Sequence, residues 1–183
     1  IPGTNYHSFF KRMDGVTGDY MIVNFNYDYL CQKALEESCY VNFDDAHKYI
    51  DNRIKLIHVH GSVLWSKDQE RGIVVGNYSN GPGNVDLVLP ITSNKNFACC
   101  PKAQIDKMID YISNEVNIVV IVGWKGQENH FRELLDLIKE LRGIVVICGK
   151  GSNEAKEILK NCGLDRFLGI PRICVSGFSN FIN

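Results

Sequence analysis

What this 183-residue chain lacks narrows its role first. It has little net charge. Lys plus Arg number 20 and Asp plus Glu 21, a formal balance of -1. The broad basic field of a DNA-coating protein is therefore missing, and no direct nucleic-acid binding is expected. No apolar run approaches the roughly 18 residues of a membrane-spanning helix, so no membrane partner is expected either. The 7 cysteines contain no CxxC pair: Cys99 and Cys100 are adjacent, and Cys31, Cys39, Cys148, Cys162 and Cys174 are scattered. That spacing excludes a zinc framework, and an odd number cannot be fully paired within one chain. Reduced, buried thiols and a cytoplasmic location are the expectation. The opening stretch IPGTNYHSFFKRMDG has no signal-peptide core and no starting Met. It reads as the inside of a longer protein. No repeat, low-complexity tract, coiled coil or second domain is evident.

What is present describes an ordinary globular chain: 45% apolar, 22% charged, 16 Gly and 5 Pro. Its length suits one domain over residues 1–183. Residues 1–18 read as an opening segment with one helical turn. DYMIVNFNYD predicts a strand at 20–25, with Asp28 able to cap a helix through LCQKALEES. Residues 41–53 have weak helical character. IKLIHVHG predicts a strand at 54–60 that ends at Gly61. Short strands follow at 72–75 and 85–90, and 91–100 read as loop. From Pro101 the pattern alternates regularly. A helix presents Ile105, Met108, Ile109 and Ile112, and an apolar strand runs over 118–122. A second helix carries Phe131, Leu134, Leu135, Ile138 and Leu141, followed by a strand over 144–148. A third helix is capped by Ser152 and ended by Gly163, and a last strand covers 172–175. Strands without alternation read as buried on both faces, which predicts an open, mostly parallel α/β sheet with helices on both sides.

Open parallel sheets bind ligands beyond the C-terminal ends of their strands. Four such ends are polar or glycine-rich: Asn24, Asn26 and Asp28; His58, His60, Gly61 and Ser62; Gly123, Trp124, Lys125 and Gly126; Gly149, Lys150, Gly151 and Ser152. Each has a plain alternative. Asn and Asp serve turns and caps, Gly ends strands, and a histidine satisfies its neighbours. His58 and His60 lie two apart and share a strand face, yet no third ligand has informative spacing, so no metal is expected. His60 before Gly61 is the stronger candidate for a base or acid. The Gly123 and Gly149 loops can offer backbone N–H groups to phosphate. Trp124 can stack on a base or fill core. No GxxxxGK[ST] spacing is present, so neither loop is a P-loop.

Four motifs in fixed order, VNFNYDYL, IKLIHVHGSV, LPITSNKN and VVIVGWKGQENHFRELL, resemble the SIR2-like domains related to sirtuins, including the SIR2-like and AbiH-like proteins of bacterial antiphage defence. The resemblance covers residues 20–141. It implies a Rossmann-like domain that takes NAD as substrate and cleaves its nicotinamide–ribose bond. It implies catalytic roles for Asn26, Asp28 and His60. It implies cofactor contacts at Gly61, Ser62, Gly123, Trp124, Lys125, Glu128 and, in a later loop, Gly149. Sirtuin deacylases carry a zinc module with two Cys pairs after the His-Gly motif. Residues 62–90 hold no Cys, so no zinc and no lysine deacylation are expected. The family's first strand and Gly-rich phosphate loop are not seen before Tyr20. The resemblance further implies a regulatory domain or protein partner and a homo-oligomer, because an uncontrolled NADase is toxic. The competing expectation is a non-catalytic module that binds NAD or ADP-ribose, or serves assembly.

Overall fold

The computed structural model describes residues 4–15, 17–68, 72–75, 85–88 and 97–182. It is an α/β protein with several small sheets, mostly parallel pairings and flanking helices. The chain divides into two compact units, residues 1–108 and 109–183.

The first unit begins with α1 (Asn5–Asp14), a full ten-residue helix where the sequence reading expected one turn. Thr4 caps it by accepting the His7 N–H at 3.2 Å. β1 (Tyr20–Asn24) leads to α2 (Leu30–Cys39), and α3 (Lys48–Asp51) precedes β2 (Ile54–His58). β1 and β2 pair in parallel, in a register that sets Asn24 beside His58. Asp28 supports the start of α2 as expected, its Oδ1 accepting the Leu30 N–H at 2.9 Å. Glu36 and Glu37 lie on the wetter side of α2, while Ala34 and Leu35 are buried. The core gathers Phe10, Leu35, Phe43, Tyr49, Ile54, Leu56 and Trp65.

β2 does not simply end at Gly61. A two-residue turn follows it, and Gly61 opens a further strand, β3 (Gly61–Asp68), which the sequence reading missed. Gly61 has φ +85, a region L side chains rarely adopt, so the chain can turn there from the β1–β2 sheet into a second sheet. β3 pairs antiparallel with β4 (Gly72–Val75) and β5 (Val85–Val88). The expected strand end at 89–90 and the loop over 91–96 lie outside the described residues. α4 (Lys102–Asn114) follows, and the boundary between the units falls within it. Its buried positions are Gln104, Met108, Tyr111 and Ile112. Ile109, assigned to the inward stripe from sequence, is 37% exposed. The stripe is rotated because Gln104 and Tyr111, not two more isoleucines, occupy the inward i, i+4, i+7 positions.

The second unit is one 3-stranded parallel sheet, β6 (Ile118–Val122), β7 (Gly143–Cys148) and β8 (Arg172–Ser176), in that order. α5 (Asn129–Leu135) and α6 (Ser152–Asn161) make the crossovers, and α7 (Phe178–Ile182) closes the described chain. α5 is shorter than its apolar stripe. Ile138 and Leu141 are buried beyond its end. Ser152 is the first residue of α6 and does not cap it; Gly151 holds that position with no side-chain bond. Gly163 ends the helix region at φ +70 as expected. β6 corrects the expectation of strands buried on both faces: Ile118, Val120 and Val122 are exposed, whereas Ile121 is buried. Two successive right-handed crossovers put both helices on one side of a sheet. The other side of β6 keeps its apolar side chains in the open.

All seven cysteines are free. Cys31, Cys39, Cys100, Cys148 and Cys162 are buried and only Cys174 is exposed. Burial pushes the thiols of Cys31, Cys100 and Cys162 up to about 12, so they stay protonated and inert at neutral pH. Among the described residues no helix is long and apolar enough to cross a membrane, and no group of three His, Cys, Asp or Glu can hold a metal ion.

Candidate functional site

In the first unit the parallel pairing of β1 and β2 brings two of the four polar strand ends together. The Val59 N–H donates to the Asn24 carbonyl at 3.3 Å, so the chain leaving β1 and the chain leaving β2 run out side by side. Beyond that point the rings of Phe25 and Tyr27 pack against His60. The His60 ring lies 5.8 Å from the Phe25 ring, edge-on, and 6.1 Å from the Tyr27 ring. His60 has no exposed surface, whereas Asn26 between the two aromatics is exposed. Asn26 and Asp28 thus leave β1 on the segment whose aromatic residues cover His60, but the exposed Asn26 side chain and the enclosed His60 ring are not in contact.

Asn26 is held from two sides. Its N–H donates to Asn24 Oδ1 at 3.0 Å, a side-chain-closed turn of the kind short amides favour. Its side chain hydrogen-bonds the Tyr6 phenol from α1. Burial raises the Tyr6 hydroxyl above its usual range, and Cys31 and Asp28 add to that, so the phenol stays protonated. The sequence reading missed Tyr6. Nothing in local spacing links a residue in the opening segment to a motif 20 positions later. Ser62 is fully buried and accepts the Leu64 N–H at 3.2 Å, which spends its hydroxyl on the start of β3.

His58 lies on the inner side of the same pair of strands. It has no exposed surface, with Tyr49 at 6.1 Å and Trp65 at 5.3 Å, both edge-to-face. Its Nδ1 meets the Asn24 Nδ2 at 3.4 Å. Burial holds its pKa down to about 4, opposed in part by a backbone hydrogen bond with Asn26. His58 is thus neutral at physiological pH.

In the second unit the parallel register of β6, β7 and β8 sets the other two strand ends next to each other: Val122 pairs with Ile147, and Cys148 with Ser176. The Gly123 N–H donates to the Ile147 carbonyl at 3.0 Å. Gly123, Gly126 and Gly151 all have positive φ, for different reasons. A Cβ on Gly123 would meet nothing within 4 Å, so the space above it is open to a ligand. A Cβ on Gly126 would lie 2.6 Å from Cys162 Sγ and 3.2 Å from the Ile158 carbonyl. Gly126 is a packing glycine that lets the loop touch α6.

The charged and aromatic members of these loops are engaged. Trp124 donates its indole N–H to Glu128 and packs edge-on to Phe131 at 5.3 Å. Lys125 pairs with Glu154, which is nine-tenths buried. Glu154 also accepts the Lys150 N–H at 2.6 Å. A carboxylate therefore lies where these loops would offer an N–H and an ammonium to an anion. Gly149 is exposed, and its nearest outside atom to an added Cβ is Glu154 Oε2 at 3.9 Å. No family model and no curated protein sequence matches this chain.

Proposed function

We propose that the protein is a SIR2-like, Rossmann-type NAD hydrolase that releases nicotinamide and ADP-ribose, with antiphage defence as the setting the resemblance implies. The observation that carries the reading is the packing of Phe25 and Tyr27, the two neighbours of Asn26, against His60 beyond the C-terminal ends of two paired parallel strands. Parallel strands with ligand-type loops at their ends in both units support the Rossmann-like reading. In the reaction the bond from ribose C1′ to the nicotinamide nitrogen breaks, and nicotinamide leaves neutral. A water oxygen bonds to C1′ and its proton passes to a base, then to solvent. Asn26 is the group suited to orient that water or a ribose hydroxyl by hydrogen bonds, and His60 is the base. Gly61 turns the chain beside them. Asp28, with one oxygen on the Leu30 N–H, keeps the other for the site. Within the second unit, Gly123 and Gly149 offer open backbone of the kind a dinucleotide needs, with Trp124, Lys125 and Glu128 in and after the loop that follows β6; within the first, Ser62 supports the start of β3 next to Gly61.

Incubation with NAD and chromatography of the products tests this. Wild-type protein should release nicotinamide. Asn26→Ala, His60→Ala and the volume-keeping His60→Gln should reduce release at least 100-fold with a folded far-UV spectrum retained. Unchanged turnover in the Asn26 and His60 variants would sink the assignment.

Two observations favour the second reading, a non-catalytic NAD- or ADP-ribose-binding module. His60 has no exposed surface, and Lys125 is committed to Glu154. Calorimetric binding of NAD without nicotinamide release supports that module over the hydrolase.

A further inference from the structure

The Asn26 turn is not self-supporting. Its N–H is held by the Asn24 side chain, which is backed in turn by His58, and the proposed chemistry uses neither. Asn24 is 7% exposed and His58 is fully buried, each at the last position of its strand, in register with the other. Asn24 Oδ1 accepts the Asn26 N–H at 3.0 Å, and its Nδ2 faces His58 Nδ1 at 3.4 Å. The amide thus uses both ends at once, one on the turn and one on the neighbouring strand. On its other faces the His58 ring meets Tyr49 and Trp65 edge-on, and His58 Nε2 and Trp65 Nε1 have no hydrogen-bond partner. A buried histidine is a costly filler when an apolar ring would pack as well. Its polar edge is turned on the Asn24 amide that holds the Asn26 N–H, so its use is there.

We propose that Asn24 and His58 are positioning residues that clasp the Asn26 peptide and so fix how Asn26 and Asp28 are presented. Neither touches substrate. The functional consequence rests on the NAD-cleaving reading, but the clasp itself does not. Removing it lets the turn sample other conformations, and the attack geometry degrades without loss of the binding surface. The effect falls on kcat and leaves KM nearly unchanged.

Four variants of the full chain test it: Asn24→Ala, Asn24→Ser, His58→Phe and His58→Asn. Serine keeps an acceptor for the Asn26 N–H, and asparagine keeps a polar atom near the Nδ1 position. Phenylalanine keeps the ring against Tyr49 and Trp65 while removing every polar contact. Amide hydrogen exchange at Asn26 is read together with nicotinamide release. Asn24→Ala and His58→Phe should speed Asn26 exchange about tenfold or more and lower kcat by a similar factor, with KM within about threefold. Asn24→Ser and His58→Asn should recover most of both. His58→Phe should unfold no earlier on heating than wild type, which separates positioning from a general packing role. Wild-type Asn26 exchange in both Asn24→Ala and His58→Phe overturns the clasp. Faster exchange with unchanged kcat, in a wild type that turns over NAD, overturns its positioning role. If wild type releases no nicotinamide, the NAD reading fails by itself and exchange alone decides the clasp.

Discussion

His58 shows how a residue that looks bland in sequence gains a definite role in structure. Two residues from His60 but with no third ligand at informative spacing, it reads as a structural histidine rather than half of a metal site. In the fold it is enclosed by aromatic rings and the Asn24 amide, and burial holds its pKa at about 4 against an ordinary 6.5. The consequence for stability has a definite sign. Above pH 6.5 both folded and unfolded chains hold the residue neutral, and folding is unaffected. Between about 6.5 and 4 the unfolded chain takes up a proton that the folded His58 refuses, so stability falls as pH falls. A displacement of that size corresponds to a loss of about 3 kcal/mol once pH reaches 4. Carboxylates titrate in the lower part of the same window, so the difference between wild type and His58→Phe isolates the histidine. Urea denaturation from pH 7.5 to 4 should show the wild type losing stability relative to that variant, mainly below pH 6.5. Parallel curves would mean that His58 is not held neutral by burial.

At the scale of elements, the glycines of the loop after β6 separate two jobs that look identical in sequence. Gly123 and Gly126 bracket Trp124 and Lys125, and both have positive φ. Only at Gly126 would an added Cβ meet its surroundings, 2.6 Å from Sγ of Cys162 at the end of α6. Gly123→Ala should cost only the backbone strain of a left-handed alanine, about 1 kcal/mol. Gly126→Ala adds overpacking against Cys162 and the Ile158 carbonyl and should cost about 3 kcal/mol. Chemical denaturation of the two variants checks the ranking, and equal losses would contradict the close approach. The same loops mark where sequence reading stops. Residues at 20–24, 54–58, 118–122 and 144–148 were legible as strands because β-branched runs between turn residues have few other uses. β3 was not, because Gly61 reads as a terminator until its φ is known. The cap expected at Ser152 failed for a related reason. α6 already begins at Ser152, so the serine sits one position inside the cap, which Gly151 occupies with no side-chain bond. At the site, Asn26, Asp28 and His60 were readable as motif residues. Tyr6 and the Asn24–His58 clasp were not, since they depend on strand register and helix packing that local spacing does not encode.

The whole molecule poses a different problem, one of surface and charge together. Near-zero net charge leaves little repulsion between copies, with a sequence pI of about 6.6. The sheet of the second unit adds exposed apolar side chains in neighbouring rows: Ile118 at 57%, Val120 at 43%, Val122 at 38% and Ile173 at 55%. Val120, Val145 and Ile173 are register partners across the three strands, so they share one face. An apolar patch on a chain near its isoelectric point favours self-association. Val120→Glu acts on both causes, since it puts a charge in the patch and moves the formal balance from -1 to -2. Light scattering at pH 6.6 should fall clearly for the variant. Its unfolding free energy should stay within about 0.5 kcal/mol of wild type, as for other surface substitutions. A loss of several kcal/mol is the signature of a carboxylate forced into a covered apolar layer. That result would mean that the face of β6 is closed in solution, and that the exposed valines belong to a core.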